Sequence, residues 1–78
     1  MSARMEHKIE LVARYLQTQV RERGGECYVK SRFIAQDVEL SAKEIGAVMR
    51  RLEADEGELA VERWAYSGGT TWRVLHNQ

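Results

Sequence analysis

The chain has 78 residues, 44% of them hydrophobic, with twelve basic side chains against twelve acidic ones and no formal net charge. A chain of this length buries about 60% of its unfolded surface and suits one domain, so a single domain over residues 1–78 is expected. The apolar runs are too short for a membrane span, no apolar segment of a signal peptide follows the charged start, and one cysteine cannot form an internal disulfide; a reduced, cytoplasmic setting without a membrane partner is the expectation.

Met5, Ile9, Val12, Leu16 and Val20 recur at steps of four, three, four and four. That is one apolar stripe of a helix over residues 4–22, with Glu10, Arg14, Gln17 and Arg21 on the other face. Gly24-Gly25 ends it, and Arg21 and Arg23 suit the negative end of its dipole. Residues 26–30, Glu-Cys-Tyr-Val-Lys, fit a brief strand through Tyr28 and Val29. Ser31 is placed to cap a helix over 32–37, with Phe33, Ile34 and Val38 facing inward. The turn Val38-Glu39-Leu40 leads to Ser41-Ala42-Lys43-Glu44, a capping box in which serine and glutamate each satisfy a free amide. The helix it opens runs to Ala54 with a core stripe of Ile45, Val48, Met49 and Leu52. Asp55-Glu56-Gly57 stops it. Residues 58–66 and 70–76 then alternate as two strands, and Ser67-Gly68-Gly69 between them makes a β-hairpin.

Ala35, Leu40 and Ile45 fall at five-residue intervals, the spacing of a helix-turn-helix. Alanine lets two helices cross closely, and the other two residues fill the space beneath the turn. The order helix, strand, helix, helix, strand, strand is an α+β arrangement of three helices, a short strand and a C-terminal hairpin: the winged helix-turn-helix. The second helix of such a motif presents Lys43, Ala47, Arg50 and Arg51 outward, as a helix that reads the DNA major groove does. Zero net charge opposes this reading, because phosphate neutralisation supplies much of the affinity for DNA. The charge is unevenly spread, however. Residues 53–62 carry Glu53, Asp55, Glu56, Glu58 and Glu62 and no base. A neutral total can therefore divide into a basic face and an acidic one.

The phrases Ser31-Arg32-Phe33-Ile34-Ala35, Leu40-Ser41, Lys43-Glu44-Ile45-Gly46, Arg50-Arg51-Leu52-Glu53 and Thr71-Trp72-Arg73-Val74 resemble the winged-helix family over nearly the whole chain. Lys43-Glu44-Ile45-Gly46 and the run from Tyr66 to Val74 are most similar to small uncharacterised winged-helix proteins of halophilic archaea. The resemblance implies a small double-stranded-DNA-binding protein that regulates transcription. It would insert the helix at 42–54 into the major groove and use the hairpin at 58–76 as a wing. By that resemblance Ala42, Lys43, Gly46, Ala47, Arg50 and Arg51 form the contact face. Arginine can give a guanine edge two hydrogen bonds, lysine can pair with guanine or phosphate, and alanine can touch a thymine methyl. An ordinary solvated helix face is the alternative. Gly46 likewise serves either a deep seat in the groove or close packing against the helix at 32–37. One departure stands out. The turn commonly holds glycine where this chain has Glu39, at a cost of about 1 kcal/mol if a left-handed backbone is needed.

Ser31 and Ser41, with their neighbouring amides, suit phosphate oxygens at helix starts, and Lys30 and Arg32 flank the first of them. Simple capping explains both serines equally well. The wing offers Arg63, Ser67, Gly68, Gly69, Thr70, Thr71 and Arg73 to the backbone or the minor groove, with no base at its tip. Trp64, Tyr66 and Trp72 all lie on the hairpin. Trp72 alternates with Val74 and belongs in the core, whereas Trp64 and Tyr66 have the opposite parity from Leu59 and Val61. Unless a bulge intervenes, exposure there would suit stacking or a partner surface, but packing under the wing is the more common explanation. Cys27, His7 and His76 lack metal-ligand spacing, so no metal or cofactor is expected. No catalytic set or small-molecule site stands out, so an enzyme is not expected. Leu11 and Tyr15, beside the core stripe of helix 4–22, make that helix a candidate homodimer element, which would demand two half-sites about one helical turn apart. The rival reading is a winged-helix protein-interaction adaptor without DNA binding. Single-stranded nucleic-acid binding through Trp64 and Tyr66 comes third.

Overall fold

A computed structural model of the chain describes residues 3–55, 57–65 and 69–76. Three helices and a three-stranded antiparallel sheet make up the fold: α1 (Ala3–Glu22), β1 (Glu26–Lys30), α2 (Ser31–Val38), α3 (Ala42–Ala54), β2 (Leu59–Ala65) and β3 (Thr71–His76). This is a small α+β architecture, compatible with a winged-helix-like arrangement. None of the described helices is long and apolar enough to cross a membrane.

Helix α1 buries Val12, Leu16 and Val20 completely, so its stripe faces the core as the periodicity predicts. Its C-terminus closes with two crossed bonds, Gly25 N–H to the Val20 carbonyl at 2.8 Å and Gly24 N–H to the Arg21 carbonyl at 3.3 Å. Gly24 has φ 81° there, a left-handed backbone that glycine adopts without a Cβ clash.

Helices α2 and α3 are joined by a turn with one strained residue. Glu39 ends α2 at φ 59°, ψ 41°, and its N–H bonds to the Ala35 carbonyl. The left-handed position expected of glycine is therefore present and is held by glutamate. Ala35 and Leu40 pack against the core and Ile45 is fully buried, as their spacing suggests. The capping box on α3 forms in full. The Glu44 N–H donates to the Ser41 hydroxyl at 3.1 Å, and the Ser41 N–H donates to the Glu44 carboxylate at 2.8 Å. Lys8 on α1 reaches the same carboxylate at 2.7 Å. That bond, followed by those from Ser41, lowers the Glu44 pKa to about 2.

The sheet has the order β1-β3-β2. Cys27, Val74 and Val61 lie in one row across it, and Val29, Trp72 and Arg63 in the next. These rows face the helices. Cys27, Val61, Trp72 and Val74 are buried there, and each such side chain contributes about 1.5–3 kcal/mol by leaving water. Tyr28, Arg73 and Glu62 form a row on the opposite face. Beyond Arg63 the register shifts before Ala65 pairs with Thr71, so Trp64 occupies a β-bulge.

Two expectations for α2 fail. Ser31 does not cap the helix. It is the first helical residue, Lys30 is the cap, and Lys30 makes no side-chain capping bond. Phe33 does not face inward: it is 48% exposed. Ile34 is buried and Val38 half-buried, which turns Phe33 to the solvent side with Gln36 and Asp37. The Arg32 guanidinium covers its ring at 5.1 Å. Tyr15 also differs from the role given it beside Leu11. It packs against the core, and its hydroxyl donates to Asp37 at 2.6 Å, tying α1 to α2. Burial and the Asp37 carboxylate raise its pKa to about 12. Leu11 remains exposed.

Candidate nucleic-acid interface

Three separate segments converge on one groove. The β1–α2 junction contributes Lys30, Ser31 and Arg32. One face of α3 contributes Ala42, Gly46 and Arg50. The hairpin contributes Arg63, Gly69, Thr70 and Trp72. The open cavity they line measures about 310 Å³. Four of its lining residues are cationic and none carries a carboxylate. Nine positions offered from the sequence for DNA contact thus meet at one place: Lys30, Ser31, Arg32, Ala42, Gly46, Arg50, Arg63, Gly69 and Thr70.

Helical periodicity explains the α3 contribution. Ala42, Gly46 and Arg50 are four residues apart, so they stand on one face, while Ile45, Val48 and Met49 are buried on the other. The small residue at 46 is not required by packing. A Cβ built there would meet only the Arg50 Nη1 atom, at an ordinary 3.6 Å, and nothing from α2. The open space above Gly46 belongs to the groove.

The β1–α2 junction is pinned to the hairpin. The Ser31 N–H donates to the Thr70 carbonyl at 3.0 Å. The Trp72 indole N–H donates to the Ser31 hydroxyl at 2.7 Å. An indole N–H buried with its ring requires an acceptor, and Ser31 is that acceptor. This is why the hydroxyl is not a cap. The Arg63 guanidinium lies 5.1 Å from the centre of the Trp72 ring, within cation–π range.

Other expected positions lie elsewhere. Lys43 and Arg51 are exposed on α3 and Ala47 is half-buried, but none lines the groove. Ser41 has both its hydroxyl and its amide taken by Glu44, whose carboxylate occupies the start of α3 and disfavours a phosphate there. Ser67, Gly68 and Tyr66 lie outside the described residues, as does Glu56. Among the described residues, Lys30, Arg32, Lys43 and Arg50 make no salt bridge.

Arg73, offered from the sequence as part of the hairpin's basic set, belongs to the opposite sheet face. Its guanidinium is held by Glu26 at 2.6 Å and Glu62 at 2.8 Å. Those two bonds raise its pKa further. Above it Tyr28 and Trp64 meet edge to face, ring centres 5.2 Å apart, and remain 47% and 57% exposed. Trp64 is therefore exposed on the face its parity gives, despite the bulge, and is not packed under the wing. Sequence reasoning missed the second role of Trp72, which lines the groove as well as filling the core. Nothing local to residue 72 signals a bond to a serine 41 positions away. Cys27 is buried, and burial raises its thiol pKa. Among the described residues, no group of three His, Cys, Asp or Glu side chains is placed to hold a metal.

A family model described as a domain of unknown function (DUF7123) matches residues 1–76. No curated protein and no solved structure matches the chain. With nearly the full sequence covered, the chain belongs to the DUF7123 domain family.

Proposed function

We propose that this chain is a winged-helix protein that binds double-stranded DNA and regulates transcription, with α3 as the major-groove helix and the β2–β3 hairpin as its wing. The observation that carries the reading is the groove itself. Lys30, Arg32, Arg50 and Arg63 come from segments far apart in sequence, yet they line one cavity with no carboxylate among them. A chain of zero net charge gains no such concentration of cations by composition alone. The α3 face also suits close approach to base edges. Ala42 and Gly46 are small, and Arg50 is the long donor one turn beyond them. The left-handed Glu39 between α2 and α3 fits the turn of a helix-turn-helix.

Duplex DNA binding at several salt concentrations tests this reading, with wild type beside an Arg32→Ala/Arg50→Ala double variant. Neutralising about four phosphates gives a slope of log K against log salt of about −3.6. The double variant should bind about 10- to 100-fold more weakly and lose about 2 from that slope. Wild type that binds no duplex at low salt would end the DNA reading.

A second reading is favoured by one observation, the exposed Tyr28–Trp64 pair on the outer sheet face. It makes the domain a protein-interaction adaptor. Trp64→Ser would then abolish partner binding, and wild type would bind no duplex DNA. A homodimer through α1 now rests on Leu11 alone. Light scattering that gives a monomer with and without DNA would remove it.

A further inference from the structure

We propose that the corner of the groove between Ser31, Thr70 and Arg63 seats one backbone phosphate of the duplex, and that Trp72 is the positioning residue that aims the Ser31 hydroxyl at it. The inference rests on the DNA-binding reading and adds a specific contact to it.

The chemistry follows from counting donors and acceptors. A serine hydroxyl has one proton to give and two lone pairs. The Trp72 indole N–H takes one lone pair at 2.7 Å. The Ser31 amide is already engaged with the Thr70 carbonyl. Among the described residues the hydroxyl proton has no acceptor, and a hydrogen bond accepted from the indole directs that proton away from the ring. Trp72 is only 2% exposed and sits in the sheet row between Val29 and Arg63, so its N–H is a fixed reference point. The open side of Ser31 is the groove, where Lys30, Arg32, Arg50 and Arg63 supply positive charge and no lining residue carries a carboxylate. A corner that offers donors and cations fits an oxyanion with unshared oxygens. On a duplex that group is the phosphodiester. Free phosphate shares the same chemistry, and the two sources separate by experiment.

The contact is neutral on the protein side, which gives it a signature unlike that of the arginines. Ser31→Ala should weaken duplex binding about tenfold while leaving the salt slope unchanged, because no counterion is exchanged for a hydroxyl. Ser31→Thr, which keeps the hydroxyl, should restore most of the loss. Trp72→Phe keeps an aromatic side chain in the core but removes the N–H, and it should weaken binding by a similar factor. The double variant should bind no more weakly than Ser31→Ala alone, since tryptophan acts through serine. Thermal melts on each variant separate this from misfolding. Titration of the wild type with inorganic phosphate, followed by NMR, should move the Trp72 indole and Ser31 amide signals first.

Ser31→Ala with wild-type affinity, or additive losses in the double variant, would overturn the proposal while leaving the DNA reading intact. If wild type binds no duplex, the DNA reading fails, and with it the assignment to a backbone phosphate. The phosphate titration then decides whether a free oxyanion takes the corner.

Discussion

Arg63 and Arg73 sit on neighbouring strands and differ in almost every physical respect. Arg63 pairs across the sheet with Trp72, and its guanidinium lies over the indole ring at the edge of a cationic groove. Arg73 pairs with Glu62 on the other face, where two carboxylates hold it. Strand alternation alone sends the two side chains to opposite sides. One side lines a groove with four cationic residues and no carboxylate, and the other balances its arginine locally. A chain with equal numbers of acids and bases can thus carry a concentrated basic surface.

The contrast is broken most severely by removing charge from the groove. Arg32→Ala/Arg50→Ala should cost about 10- to 100-fold in duplex affinity, whereas Arg73→Ala should change affinity less than about twofold, as surface substitutions away from an interface do. Equal losses from the two would mean that the two faces are not functionally distinct. Binding curves at one fixed salt concentration are enough to decide.

Gly46→Ala sharpens the comparison by separating folding from binding. Alanine in the middle of a helix is worth about 1 kcal/mol over glycine, and the space above Gly46 accepts a methyl group. The melting temperature should rise by about 4–8 °C. If the groove seats DNA closely, the same methyl should weaken binding. A variant that melts higher and binds as well as wild type would show that the small residue has no part in recognition.

Two controls lie in neither region. Glu39→Gly relieves the left-handed backbone at φ 59° and should stabilise the fold by about 1 kcal/mol in chemical denaturation, with DNA affinity unchanged. Tyr15 gives a pH signature. Its pKa rises from the ordinary 10.0 to about 12 through burial and Asp37. The folded state therefore holds the phenolic proton more tightly than the unfolded chain does. The associated stability is fully present below pH 10 and is lost as pH rises towards 12. Tyr15→Phe should flatten that alkaline loss in a pH series of melts.

Much of this architecture is legible in the sequence where the signal is local. The stripe from Met5 to Val20, the Ser41–Glu44 capping box and the parity of Trp64 all follow from residues a few positions apart. What escapes is what depends on distant partners. Ser31 looks like a helix cap because serine before an apolar run usually is one. Its hydroxyl is instead claimed by Trp72 on the last strand. Tyr15 looks like a free neighbour of Leu11 until Asp37 comes within reach of it. Arg73 looks like part of a basic hairpin until the sheet order sets it between Glu26 and Glu62. The cationic groove shares this character. Its members are readable one at a time, but their convergence depends on the strand order.

The two tryptophans offer the most direct test of that convergence, because one lines the groove and the other stands on the opposite face. A proton–nitrogen NMR spectrum reports both indole N–H groups at once. On addition of duplex DNA the Trp72 signal should shift and the Trp64 signal should hold its position. Movement of Trp64 alone, or of neither, would contradict the assignment of the groove as the DNA-binding surface.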